Sequence, residues 1–137
     1  MDKHFIAVES FEHQIDCFCP GGIHAELLRI NKEDIIEVTK DCNFVMDKGW
    51  YVWVVINDHC SFYMALEDLE KYMMKGLLIS RLDLDLKINY LQFLIDQALD
   101  KGDEVSFLKY STILKDSSEF KAGLENYYRE VIENHSI

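Results

Sequence analysis

The residues best suited to chemistry are the chain's four cysteines and five histidines. His13, Cys17, Cys19 and His24 flank the turn Cys19-Pro20-Gly21-Gly22, and His59 directly precedes Cys60. Thiolates and imidazoles on loops are what zinc takes, and a closed structural site uses four of them. The spacing argues the other way, because Cys17-x-Cys19 with scattered histidines lacks the paired Cys-x-x-Cys of zinc modules. Reduced thiols, buried or idle, are the expected state of Cys17, Cys19, Cys42 and Cys60, with no metal bound. A cysteine nucleophile needs a base on its own side. Adjacent residues of a strand point to opposite faces, so His59 is badly placed to activate Cys60. The carboxylates Asp83 and Asp85, and the group Asp96, Asp100, Asp103 and Glu104, are candidates for metal ligation or an acid–base pair. They fall on a solvated strand face and at helix ends, where carboxylates cap and solubilise. Gly21-Gly22 is a turn without the helix-opening fingerprint of a phosphate loop. The sequence therefore predicts no catalytic residue and no cofactor.

The aromatic residues offer a binding chemistry instead. Trp50, Tyr51 and Trp53 could stack on a peptide or a base if they line a groove. Strand alternation buries one face of Trp50–Val55 and leaves the other partly open, which makes Trp50 and Trp53 candidate contact residues. Tyr127 and Tyr128 place one tyrosine on a helical apolar stripe and one beside it.

The elements that must position these residues are β in the first half and α in the last third. "HFIAVESF" and "AELLRI" are short apolar runs on either side of the Cys19–Gly22 turn. "EDIIEVTKD" is a strand, "DKG" at Asp47–Gly49 a turn, and "WYVWVVI" the strongest strand signal in the chain. Its seven consecutive residues, Trp50 to Ile56, are all β-branched or aromatic. After the turn "NDHCS", Leu66, Leu69 and Met73 follow helical spacing, and Gly76 stands where a helix-stopping glycine belongs. This order of pieces over residues 5–72 resembles an SH3-like small β-barrel. "LLISRLDLDLKIN" is ambiguous, since Leu82, Leu84 and Leu86 alternate like a strand while Leu84, Ile88, Leu91 and Ile95 repeat like a helix. Strand or extended chain to about Asp85, then helix, is the expectation.

From Lys87 the helical period is clear, with Ile88, Leu91, Ile95 and Ala98 on one face and Leu94 and Leu99 widening it. Lys101 and Gly102 end that helix and Asp103 caps the next, with Glu104 in its first turn and Phe107 or Leu108 buried. So short a connection folds the two helices into a hairpin. A third helix is expected from Asp116 or Ser117, carrying Phe120, Leu124, Tyr127 and Val131. The three spans are 88–101, 103–114 and 118–133. The fold class is α+β: a small antiparallel barrel or bent sheet over 1–76, then a helical region over 77–137.

Within that region Leu94-Ile95-Asp96-Gln97-Ala98-Leu99, followed by Lys101, Asp103, Phe107 and Ser111–Leu114, resembles the IDEAL domain of Firmicute regulatory proteins. Gln97 stands where the family's signature has glutamate. The resemblance covers about 25 to 40 residues, the length of one helical hairpin, and implies a helical interaction module without known enzymatic activity. It implies nothing for residues 1–80.

Composition bounds the function. Hydrophobic residues make up 49% and aromatics 12%, enough for a folded core. The 14 Lys and Arg against 25 Asp and Glu leave a formal net charge of −11. Such a surface repels DNA, RNA and anionic membranes, and suits a basic protein surface. No apolar run approaches the roughly 18 to 20 residues that span a bilayer, and the N-terminus lacks the pattern of a signal peptide. A cytoplasmic location with reduced thiols is expected. The first functional reading is a regulatory or adaptor protein that binds a basic protein partner through Leu94, Asp96, Asp100, Asp103, Glu104 and Phe107. A second copy of the chain is another candidate to cover that face. The alternative is a small acidic inhibitor of phage origin, occupying a basic nucleic-acid-binding or catalytic surface of its target.

Overall fold

A computed structural model describes residues 4–16 and 26–135. The chain divides into two compact units, Met1–Ile79 and Ser80–Ile137. The first contains β1 (His4–Ala7), β2 (Phe11–Ile15), β3 (Glu26–Ile30), β4 (Ile35–Val45), β5 (Gly49–Ile56), β6 (Cys60–Ala65), α1 (Leu66–Met74) and most of β7 (Leu78–Ser80). The second contains α2 (Arg81–Lys101) and α3 (Glu104–His135).

The five-stranded sheet runs β6-β5-β4-β1-β7, and β2 pairs with β3 in a separate two-stranded sheet. The outer strands β6 and β7 are not neighbours. Of the two forms expected, barrel or bent sheet, the structure has the antiparallel sheet with no closed barrel. The β-rich first half and its strongest strand are as the sequence reads. Along β5, Val52, Val54 and Ile56 are buried while Trp53 and Val55 are half-exposed, which is period-two alternation. Facing partners Ile36, Val38, Phe62 and Met64 complete this side of the sheet, and Leu69 of α1 joins the same core.

Polar side chains set the strand ends. Asn57 lies at φ 53° in the β5–β6 turn, a left-handed position that asparagine tolerates. Its amide oxygen accepts from the Ile35 N–H at 2.9 Å, and its amide nitrogen donates to Asp34 at 2.9 Å. Between Val38 and Cys42 the register of β4 shifts against β5. Thr39 closes that bulge, its hydroxyl donating to the Trp53 carbonyl at 2.9 Å and accepting from the Asp41 N–H at 3.2 Å.

The helical region carries two corrections. Extended chain stops at Ser80, not near Asp85, and α2 begins at Arg81. Ser80 is the N-cap, its hydroxyl accepting from the Asp83 N–H at 3.1 Å. The alternating leucines misled because both sides of the helix are apolar there: Leu84 is buried, whereas Leu82 and Leu86 are exposed. The helices expected over 103–114 and 118–133 are one continuous helix, α3. The apolar stripe Phe107, Ser111, Leu114, Ser117, Phe120, Leu124, Tyr127 advances by three or four residues without a break in phase. Ser117 is buried inside that stripe. Helix propensity penalises Asp and Ser by only a few tenths of a kcal/mol, so packing against α2 overrides the cap signal at Asp116-Ser117.

Two polar contacts join α2 and α3. Lys121 Nζ lies 3.2 Å from the Asp85 carboxylate, and the Arg81 guanidinium sits 4.8 Å over the Tyr128 ring. Leu84, Ile88, Leu91 and Ala98 of α2 are buried, as are Phe120, Leu124 and Tyr127 of α3.

Candidate functional site

A tightly closed turn joins α2 and α3. Gly102 has φ 67°, and its N–H donates to the Leu99 carbonyl while the Asp103 N–H donates to Ala98. This pair of bonds is a Schellman closure, which needs a left-handed residue and so favours glycine. Asp103 then caps α3, its carboxylate accepting from the Ser106 N–H at 3.1 Å. Hydrogen bonds from the Ser106 side chain and backbone hold the Asp103 carboxyl below the usual carboxylate range, so it is ionised at neutral pH.

The tight reversal leaves a concavity. Ala98, Leu99, Gly102, Asp103, Glu104 and Phe107 line a pocket of about 200 Å³. Phe107 is half-buried in it, while Leu99 remains 59% exposed. Apolar walls with carboxylates at the edge can take an apolar side chain that has a cation next to it. Of the residues expected at the site, Asp103, Glu104 and Phe107 meet in this pocket. Leu94 is half-buried further up α2, and Asp96 and Asp100 are exposed on its last two turns, outside the lining. Ala98 and Leu99 were read as stripe residues only. Their role in the lining depends on the turn's closure, which periodicity does not describe.

Trp50 and Trp53 do not form one groove. Trp50 is exposed beside Phe44, the ring centres 5.3 Å apart, where β4 and β5 run on past the register shift. Trp53 points to the other face, edge-on to Tyr63 at 4.8 Å. Phe44 and Met46, both exposed, were missed although "NFVM" next to a turn signal marks them.

Of the candidate chemical groups, His13 is engaged in structure. His13 is buried, shares a 2.6 Å hydrogen bond with the Tyr72 hydroxyl, and stacks on Phe62. Burial pushes the Tyr72 hydroxyl up to about 12, with Asp68 adding to it. Burial also pushes Tyr51 up to about 12, helped by its 2.8 Å hydrogen bond to Asp16. Both phenols therefore stay protonated at neutral pH. Cys17, Cys19 and His24 lie outside the described residues. Cys42 and Cys60 are free thiols. Among the described residues no group of three His, Cys, Asp or Glu could hold a metal ion, and no helix is long and apolar enough to cross a membrane.

Two antiparallel helices joined through a left-handed glycine and an aspartate cap define an αα-hairpin module. Residues 78–114, about a quarter of the chain, match the family model of the IDEAL domain. The matched stretch takes in β7, all of α2, the pocket and the first third of α3, which confirms the resemblance carried by Leu94–Leu99 and the residues after it. No curated protein and no solved structure matches the chain.

Proposed function

We propose that this is a non-enzymatic regulatory or adaptor protein of the cytoplasm that binds a protein partner at the α2–α3 turn. The observation that carries this reading is the apolar pocket of Ala98, Leu99 and Phe107 edged by Asp103 and Glu104, set inside the IDEAL-matched stretch. The ligand is a segment of a basic protein surface that offers one apolar side chain beside a lysine or arginine. Asp96 and Asp100 extend the negative field around the site and speed encounter with such a surface. A formal charge of −11 suits a protein that avoids nucleic acid.

The test compares baits in parallel. Native chain, Leu99→Arg and Glu104→Lys are immobilised, and the proteins each retains from host lysate are identified by mass spectrometry. Leu99 and Glu104 are exposed, so helicity by circular dichroism should not change. A protein held by native chain and lost from both variants supports the reading. Identical sets on all three baits overturn it.

A further inference from the structure

The two-stranded sheet of β2 and β3 is fastened unevenly along its length. Its base is fixed by backbone bonds from the Glu33 N–H to the Ala7 carbonyl and from the Ala7 N–H to the Asp34 carbonyl, and the Lys32 N–H donates to the Ser10 hydroxyl. Phe11 pairs with Ile30 there. Ile30 is fully buried, and the Phe11 ring centre lies 4.6 Å from that of Tyr72 on α1. Beyond that pair no strand ladder joins this sheet to the five-stranded one. The inward side chains of the far half are His13 and Ile15 of β2 and Leu28 of β3. Ile15 and Leu28 are only half-buried, so the one buried side chain of this half is a histidine. A two-stranded ribbon is marginal in water by itself, and this half therefore depends on how His13 is held.

His13 Nδ1 lies 2.6 Å from the Tyr72 hydroxyl, and the ring stacks on Phe62 of β6. Tyr72 keeps its phenolic proton and can donate it to the neutral ring. A second proton on the ring removes that acceptor, so the bond must reverse. It also places a charge in a buried site where no carboxylate among the described residues is ion-paired with the ring. Asp68 of α1 and Asp16, just past β2, attract that charge through space, while Leu28 and Phe62 add none. Asp16 supplies the other polar tie of this half, accepting from the Tyr51 hydroxyl of β5 at 2.8 Å.

We propose that the far half of this sheet, residues 13–16 and 26–28, is a flap released by a proton: it lies on α1 and β6 while His13 is neutral and lifts, hinged at the Phe11–Ile30 pair, when His13 is protonated. Burial lowers the pKa of the closed ring from 6.5, against the pull of Asp68 and Asp16, whereas a lifted ring is hydrated and keeps its ordinary value. The lifted form takes up the proton first, so its population rises as pH falls from 6.5 toward the lower value of the closed form. One such group changes the open-to-closed ratio by at most about tenfold between about pH 7.5 and 5.5. Lifting uncovers the Phe62 and Tyr72 rings. The flap belongs to the first unit, and this proposal does not depend on the turn pocket.

Amide exchange of the full chain, read residue by residue at about pH 7.5 and 5.5 in low concentrations of urea, tests it. The hydrogen-bonded amides among residues 13–15 and 26–28 should exchange through an opening almost insensitive to urea, well before those of β5. After correction for the intrinsic rate, their opening should rise several-fold, and no more than about tenfold, at the lower pH. His13→Gln keeps a hydrogen-bonding group without a titration and should abolish that rise. Exchange of these amides with the protection and urea slope of β5 means that they open only by global unfolding, and overturns the flap in the native protein alone. Opening that does not change with pH, or that rises equally in His13→Gln, overturns the role of the proton.

Discussion

His13 shows that residue type alone does not fix a role. It is of a type that zinc takes, but the spacing around it argues against a metal site, and its ring is buried against Phe62 and bonded to Tyr72, 59 positions away. No local pattern announces a partner that distant. Burial lowers its pKa below the ordinary 6.5, opposed by Asp68 and Asp16. The unfolded chain therefore takes up a proton at higher pH than the folded one. Stability contributed by neutral His13 is complete above pH 6.5 and is lost as pH falls from there toward the lowered folded value. The urea midpoint of the native protein should drop between pH 7.5 and 5.5, and His13→Gln should drop less; equal slopes would place the dependence elsewhere. Gly102 is the opposite case, legible because Lys-Gly-Asp between two apolar stripes is helix-stop chemistry. Its φ of 67° is left-handed, and a Cβ there would meet nothing within 4 Å. The cost of Gly102→Ala is then backbone strain alone, about 1 kcal/mol, read as a lower urea midpoint for the helical unit. An unchanged midpoint would mean the turn does not depend on the left-handed residue.

At the scale of elements, the strands and the hairpin were readable and the helix limits were not. Trp50–Ile56 has one reading because β-branched and aromatic residues in a row suit little but a strand. Leu82–Leu86 has two, because alternation along a strand and two opposed rows on a helix give the same pattern over five residues. Ser80 decides between them through a single hydrogen bond to the Asp83 N–H. Ser80→Ala should cost about 1 kcal/mol, a typical N-cap loss. Amide exchange should quicken first at Asp83 and its neighbours in the first turn. Protection unchanged in that turn would show that α2 starts without the cap. The missed continuity of α3 has the same physical origin. Cap residues are local preferences worth about 1 kcal/mol each, and one unbroken stripe along a partner helix outweighs them.

At the scale of the whole molecule, the α+β order, the acidic composition and the IDEAL-like stretch were legible, while the choice between barrel and sheet and the exposed apolar side of α2 were not. Closure of a barrel depends on whether the outer strands meet, and neither β6 nor β7 carries that information in its own residues. Net charge, by contrast, follows directly from composition and makes a prediction of its own. A formal −11 field attracts a basic partner over a distance set by the Debye length, about 20 Å at 20 mM salt and near 6 Å at 300 mM. Steering acts mainly on the association rate, and on the proposed reading the short-range contacts in the Leu99–Phe107 pocket would set the dissociation rate. Partner capture at the α2–α3 turn should therefore slow tenfold or more over that salt range, with little change in release. Asp96→Lys/Asp100→Lys, both outside the pocket lining, lower the formal charge from −11 to −7 and should reduce the salt dependence while keeping the release rate. Surface plasmon resonance with the partner identified by the paired baits measures both rates. An association rate insensitive to salt would mean the acidic surface serves only solubility, whereas a release rate raised by the Asp96 and Asp100 replacements would place those carboxylates in the contact itself.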